Sequence, residues 1–411
     1  MDARGTLARR ASLTRRASLS RRGLLGSAAA TTALGALGVA AAGSLTGCVP
    51  PVPPAAAATK RPLPVDRSAT DRRVAFANWT QYLDQDETTH RYPTLDDFRR
   101  ESGLQVSYTE DIDDNDVYVN KIAPQLRAGQ DIGRDIVVLS DWMVNRMIAQ
   151  DLVQPLELLR MPHAPGILPE LIDAPFDPGR AYSLPWQSGL TGIAYDASKV
   201  KEIRSVDDLW RPDLKGRVVA LTEYRDTLGL VMRSQGVDPA QPFTRDQFAA
   251  AVDVVRKQVA AGQIRRLRGN SYVQDLQSGN ALAGIVWSGD VVTLRAETGN
   301  DSWRFVLPES GGMLWSDNMV IPSTSTHRRN AEALMDYYYR PDVAARVAAW
   351  VSYICPVRGA REAMAKVDPE LVDDPLIFPS TAELARQRVF RALDPAQEAE
   401  LAAMWTAVVE A

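Results

Sequence analysis

Cysteine and histidine are scarce in this 411-residue chain. The two cysteines, Cys48 and Cys355, lie far apart with no histidine beside either, which leaves neither a disulfide framework nor a Cys-based zinc site. His90, His163 and His327 are scattered, so a His-rich metal centre is excluded as well. Catalytic motifs are equally absent: there is no Gly-rich phosphate loop with its Lys, no GxSxG elbow and no HExxH pair. The chain is therefore expected not to be an enzyme, and no cofactor or metal is called for. Basic charge is also in deficit over most of the length. Residues 1–47 hold seven Arg against the single acid Asp2, and without them 40 Lys and Arg face 50 Asp and Glu, a net charge of −10. Such a body repels nucleic acid and suits a cationic ligand. At 45% hydrophobic and 24% charged residues it can bury a large core, and its length suggests two or more domains.

The arginine-rich start has the form of an export signal. Ser20-Arg21-Arg22-Gly23-Leu24-Leu25 places a twin arginine directly before residues 23–47, which carry no charge and are rich in Ala, Gly and Leu. The stretch ends in Leu45-Thr46-Gly47-Cys48, which looks like a bacterial lipobox, making Cys48 the lipidated first residue of the mature protein. An uncleaved anchor is the alternative, since about 20 apolar residues span a bilayer, but the Ala/Gly content makes a poor permanent span. Residues 48–71 follow with six prolines and the run Ala55-Ala56-Ala57-Ala58, an extended tether reaching at most ~70 Å at ~3.1 Å per residue.

Beyond the tether, short apolar runs alternate with helical patterns. Val74-Ala75-Phe76-Ala77, Asp135-Ile136-Val137-Val138-Leu139, Val218-Val219-Ala220-Leu221, Ala283-Gly284-Ile285-Val286 and Met319-Val320-Ile321 read as buried strands. One helix is expected between a Thr94 cap and Gly103, and another opens on the Thr244-x-x-Gln247 capping box and stops at Gly262. The alternation predicts an α/β fold with mostly parallel sheets. Aromatic and acidic residues recur just after the strands: Asn78, Trp79 and Tyr82; Ser140, Asp141 and Trp142; Thr222, Glu223 and Asp226; Trp287 and Asp290. Ligands of open α/β sheets bind beyond these strand ends. An aromatic face attracts an ammonium by ~0.5–2 kcal/mol and packs against a methylene chain, while a carboxylate supplies a charge-assisted hydrogen bond. The pattern predicts a cleft for a cation with an apolar stem, of which a linear polyamine is the simplest case.

At these same residues the chain resembles the spermidine/putrescine-binding proteins of bacterial ABC importers. Asn78-Trp79-Thr80-Gln81-Tyr82 is similar to the first ligand loop of that family. Tyr182-Ser183-Leu184-Pro185-Trp186, Leu209-Trp210-Arg211-Pro212, Ile285-Val286-Trp287-Ser288-Gly289, Trp315-Ser316-Asp317 and Arg340-Pro341-Asp342 follow in family order, so that the likeness runs from about Val74 to Tyr353. It implies a type II periplasmic-binding-protein fold: two α/β lobes, each a mostly parallel sheet flanked by helices, with ligand in the interlobe cleft. The expected lobes are residues 72–189 plus 316–361 and residues 193–312 plus 365–411, joined by crossings near 189–193, 313–316 and 361–366. The resemblance places Trp79, Tyr82, Ser140, Trp142, Asp226, Trp287, Trp315, Asp317 and Tyr353 in the cleft, with Trp142 standing where the family has a tyrosine. A second acid of the far lobe falls at Glu223, unless Tyr224 replaces it. The glutamine expected near the C-terminus has no clear counterpart around 386–391. The implied partners are a polyamine, an ABC permease with its cytoplasmic ATPase, and the membrane through the lipid anchor alone, with the receptor a monomer outside the cytoplasm. A receptor for another cationic solute or a ferric complex, a secreted enzyme on the same fold, and an envelope sensor are the rival readings.

Two further motifs point to metals and fail on their details. Asp111-Ile112-Asp113-Asp114-Asn115-Asp116 begins like a calcium loop, but Asp116 stands where Gly is needed and Ile122 where Glu is needed. Tyr337-Tyr338-Tyr339 could suggest an iron-binding tyrosine pair, yet its setting before Pro341 reads as the end of a helix.

Overall fold

All fourteen residues of Ser183–Asp196 are buried, which requires neighbours along the whole strand. A computed structural model, which describes residues 62–410 apart from positions 87, 173 and 270, supplies them from both halves of the molecule. In chain order the strands are β1 (Arg73–Trp79), β2 (Gln105–Ile112), β3 (Ile136–Ser140), β4 (Ser183–Asp196), β5 (Val218–Leu221), β6 (Ile264–Arg268), β7 (Ala283–Trp287), β8 (Trp303–Val306) and β9 (Met313–Val320). They form one sheet in the order β2-β1-β3-β9-β4-β7-β5-β6, with β8 paired to β4 off this path. β9 pairs with the first part of β4, Ser183 to Thr191. β7 and β8 pair with its second part, Thr191 to Asp196.

Polarity is mixed. The outer strands are parallel, β1 to β2 and β3, and β5 to β6 and β7, as the apolar runs suggested. The pairs made by β4 and β9 are all antiparallel. Met319 to Ile321 is thus a buried run in an antiparallel setting, because both sheet faces are covered there and no alternation remains to reveal it. Hydrophobic clusters follow the division. Two of them cover the faces of β1 and β3, one around Phe76, Trp186 and Tyr338 and the other around Leu139, Met143 and Ile122. Another packs Val218, Phe248, Ile285 and Trp405 in the second half.

The third passage between halves lies later than residues 361–366. Ala360, Met364, Ile377, Leu384 and Val389 pack with the first half, and from Phe390 side chains join the second. The chain passes over beside β9, where the Arg388 N–H donates to Gly312 O and Leu314 N–H donates to Arg388 O. The tether also ends earlier than residue 71. Asp66 accepts hydrogen bonds from Ser68, Arg67 N–H donates to Thr326 O, and Asn330 holds the carbonyls of Asp71 and Arg73. The twin arginine, Cys48 and the tether up to residue 61 lie outside the described residues.

Local signals mostly serve the elements that were expected. Thr244 and Gln247 form their capping box on helix Arg245–Ala260. Gly103 ends helix Pro93–Ser102 with φ 67°, but Thr94 does not cap it: Tyr92 is the N-cap and Pro93 opens the helix. The hydroxyl and N–H of Thr94 are bound instead by buried Asp84. The acidic run at 111–116 caps a helix, Asp114 accepting from Val117 N–H. Of the three tyrosines, Tyr337 donates to Thr94 O, Tyr339 donates to Pro185 O and Tyr338 packs on Trp186, so all are spent in the core.

Candidate functional site

The antiparallel register of β3 and β9 sets Ser140 opposite Asp317. Ser140 Oγ donates to Asp317 Oδ1 at 2.6 Å and the Tyr82 hydroxyl to Oδ2 at 3.0 Å. Tyr82 is held in turn by the Trp186 indole N–H, which donates to its carbonyl at 3.0 Å. Asp317 is 8% exposed and makes no ion pair among the described residues. Burial pushes its carboxyl up to about 6, only partly offset by Ser140 and Tyr82, with the charge of Asp141 adding to the rise.

A second carboxylate is built the same way in the other half. Pairing of β4 with β7 sets Thr191 opposite Trp287, and both reach Asp226 in the first turn of helix Tyr224–Ser234. Thr191 Oγ1 donates at 2.6 Å and Trp287 Nε1 at 2.8 Å. Burial lifts Asp226 to about 7 and the neighbouring charge of Glu223 adds to the rise, offset in part by Thr191, Trp287 and the nearby charge of Arg225. No ion pair reaches Asp226 among the described residues. Asp290 receives the Tyr272 hydroxyl at 2.5 Å and the Tyr353 hydroxyl at 3.3 Å, the latter from a different part of the chain.

Aromatic rings connect these carboxylates edge to face. Tyr82 meets Tyr353 at 6.0 Å between centroids, Tyr353 meets Trp315 at 5.3 Å, Trp315 meets Trp287 at 6.4 Å and Trp287 meets Tyr272 at 5.9 Å. Trp315 lies flat against the crossing strand: a Cβ at Gly189 would stand 2.2 Å from its ring. Tyr353 covers Gly289 in the same fashion. The indole N–H of Trp315 is buried without a hydrogen-bond partner among the described residues.

Trp142 and Glu223 sit together but are already occupied. The Arg225 guanidinium stands 4.1 Å from the Trp142 ring centroid and Arg146 5.0 Å from it. Arg225 also pairs with Glu223 at 3.1 Å and with Glu398. Tyr224 is no substitute acid, since its ring packs between Phe248 and Phe390 in the second core. Trp79 donates its indole N–H to Val138 O at 3.0 Å and takes no part in the ring chain found among the described residues. The structure thus brings Tyr82, Ser140, Asp226, Trp287, Trp315, Asp317 and Tyr353 together, sets Trp142 and Glu223 in a separate corner, and leaves Trp79 packed on the sheet. Thr191, Tyr272 and Arg225 were not foreseen. Asp290 stood three residues after Trp287 among the strand-end acids but was not carried into the ligand set. Gln387 lies in the segment where a glutamine was sought, with Oε1 accepting from Gly312 N–H and Nε2 donating to Glu383 O, so it braces the late crossing.

Two halves sharing crossing strands, with buried carboxylates and aromatic rings where they meet, define a two-lobed binding protein of the α/β periplasmic type. The comparisons agree. Residues 94–379 match the family described as bacterial extracellular solute-binding protein, and the chain belongs to that family, whose members bind solutes outside the cytoplasm and are not enzymes. It is 26% identical to the spermidine/putrescine-binding periplasmic protein of Salmonella typhimurium over 313 residues, 76% of this chain and 84% of the relative. To the putrescine-binding periplasmic protein PotF of Escherichia coli it is 27% identical over 359 residues, 83% and 92%. Among solved structures, the spermidine/putrescine substrate-binding protein PotD of Streptococcus pneumoniae superposes with a TM-score of 0.69 at 26% identity, covering 82% of this chain and 98% of that one. The TpPotD lipoprotein of Treponema pallidum shares the fold at 21% identity, TM-score 0.69, over 82% of this chain and all of its own.

Proposed function

We propose that the protein captures a polyamine outside the cytoplasm and delivers it to an ABC permease. The observation that carries this reading is the pair Asp317 and Asp226, buried carboxylates with only neutral donors, joined by a path of aromatic rings. An ionised carboxylate without a cation is costly in such a place. An ammonium supplies the missing charge at each end, and the rings take the methylene stem between them. Relatives named for spermidine/putrescine, putrescine or putrescine/agmatine binding agree with this chemistry. Tyr353 donating to Asp290 across the cleft gives binding a contact through which to close the lobes, the form a permease recognises.

The receptor acts as a monomer tethered by a lipid on Cys48 after twin-arginine export. Its lobes are the two expected segments, with the late crossing moved to Arg388. Cys48→Ala is expected to abolish lipid labelling and release the protein from the membrane fraction; unchanged fatty-acid labelling contradicts the anchor. Function itself is tested by calorimetric titration of the chain from Pro62 onward with putrescine, spermidine, agmatine and the neutral 1,4-butanediol. Saturable binding of at least one amine and none of the diol is expected. Absence of amine binding overturns the reading.

A further inference from the structure

The corner formed by Trp142 and Glu223 has the same composition as the places proposed for the ammonium groups: an aromatic face beside a carboxylate. It differs in what already stands there. The Arg225 guanidinium covers Trp142 at 4.1 Å and Tyr224 at 4.3 Å, and it binds Glu223 and Glu398. Its side chain is only 11% exposed. The position is fixed by the backbone, because Arg225 occupies the first turn of helix Tyr224–Ser234, where its own N–H donates to Glu223 at 3.2 Å. Asp226 is the next residue and feels the Arg225 charge, so this cation borders the cleft. Behind it, Arg146 stacks on Trp142 and pairs with Glu398 at 3.2 Å and with Asp116. Each of the corner's three carboxylates is therefore paired with one of two guanidiniums from within the chain.

We propose that Arg225 is a built-in cation that fills a third ammonium position and restricts the cleft to ligands with two ammonium groups. The proposal rests on the polyamine reading and sharpens it to a diamine. A third ammonium reaching the corner would meet Arg225 and Arg146, and expelling Arg225 would strip Glu223 of its partner and uncover Trp142. Selection then comes from repulsion of the longer ligand as well as from attraction of the shorter one. Arg225 is a specificity-determining residue in this account, and the two ends of the ligand belong to Asp317 and Asp226.

The test is calorimetric titration of the protein with putrescine and with spermidine, using wild type, Arg225→Gln, Arg225→Ala and the double variant Arg225→Ala/Glu223→Gln, each checked by circular dichroism. Wild type is expected to bind putrescine at least tenfold more tightly than spermidine. In both single variants the spermidine-to-putrescine affinity ratio rises at least tenfold, and the double variant loses that gain because the freed carboxylate is gone. An unchanged ratio in folded variants overturns the proposal while leaving polyamine binding standing. Spermidine binding as tight as putrescine in wild type also overturns it, whatever the variants do. Binding of neither amine by wild type removes the functional reading and this proposal with it.

Discussion

Two acidic regions of the molecule carry similar side chains and opposite charge balance. In the cleft centre, Asp317 and Asp226 are held by hydroxyls and an indole N–H, and burial raises both carboxyls. In the corner, Glu223 and Glu398 are met by Arg225 and Arg146. A neutral donor satisfies a hydrogen bond without supplying charge, so Asp317 and Asp226 lack an ion-pair partner, Asp226 feeling the Arg225 charge without pairing with it, while the corner's acids have theirs. Residue composition alone does not distinguish a ligand site from a structural ion-pair cluster; the presence or absence of a basic partner does.

The largest effect is expected at Asp317. With an ammonium bound, Asp317→Asn keeps shape and removes charge, and truncating such a buried pair costs about 2–5 kcal/mol. That is roughly 30-fold to several thousandfold in affinity, read by calorimetry. Wild-type affinity in the variant contradicts the assignment. Without ligand the same substitution acts in the opposite direction. Asp317 has a folded pKa raised from 3.8 to about 6, so the stability present below about 4 is lost as pH rises to 6 and beyond. Asp317→Asn is therefore expected to melt higher than wild type at pH 7–8, by up to about 3 kcal/mol at ~1.4 kcal/mol per pKa unit. At pH 4 the difference should vanish. A variant that is less stable than wild type at pH 8 would show that the carboxylate is well compensated after all.

Smaller effects sharpen the picture of the ring path. Gly189→Ala puts a Cβ against Trp315 and forces the ring into the cleft, at an overpacking cost of about 1–3 kcal/mol seen as a lowered melting temperature. Diamine affinity should fall with it, whereas unchanged affinity would show that Trp315 does not set the width of the cleft. Trp315→Phe should cost least, about 0.5–1 kcal/mol of binding, since it weakens the aromatic face but also removes a buried N–H that lacks a partner. A loss larger than that of Asp317→Asn would reverse the proposed roles of ring and charge.

Much of this arrangement could be read from the chain before any coordinates. Strand ends announced Tyr82, Ser140, Asp226 and Trp287 because a buried apolar run followed by polar and aromatic residues has few other uses. Trp315 and Asp317 were legible only through resemblance, since they lie within β9 and no strand end marks them. Arg225 was invisible because a lone arginine after Glu223 looks like helix-surface charge, and its contacts with Trp142 and Glu398 span long separations. The Thr94 cap failed because Pro93 opens the helix one residue earlier, which places Thr94 inside the first turn, where its N–H and hydroxyl both donate to Asp84. The late crossing was missed because Met364, Ile377 and Leu384 carry no sign of which lobe they will pack against.

If the cleft holds raised carboxyls awaiting cations, binding must release protons. Putrescine titrated at pH 6 in buffers of different ionisation enthalpy should release about one proton or more per ligand bound, because Asp317 near 6 and Asp226 near 7 give up protons when ammonium groups pair with them. At pH 8.5, where both are already ionised, the release should fall towards zero. Affinity should weaken as pH drops from 7 to 5. Binding at pH 6 with no proton release, or binding that strengthens as pH falls, would contradict the account.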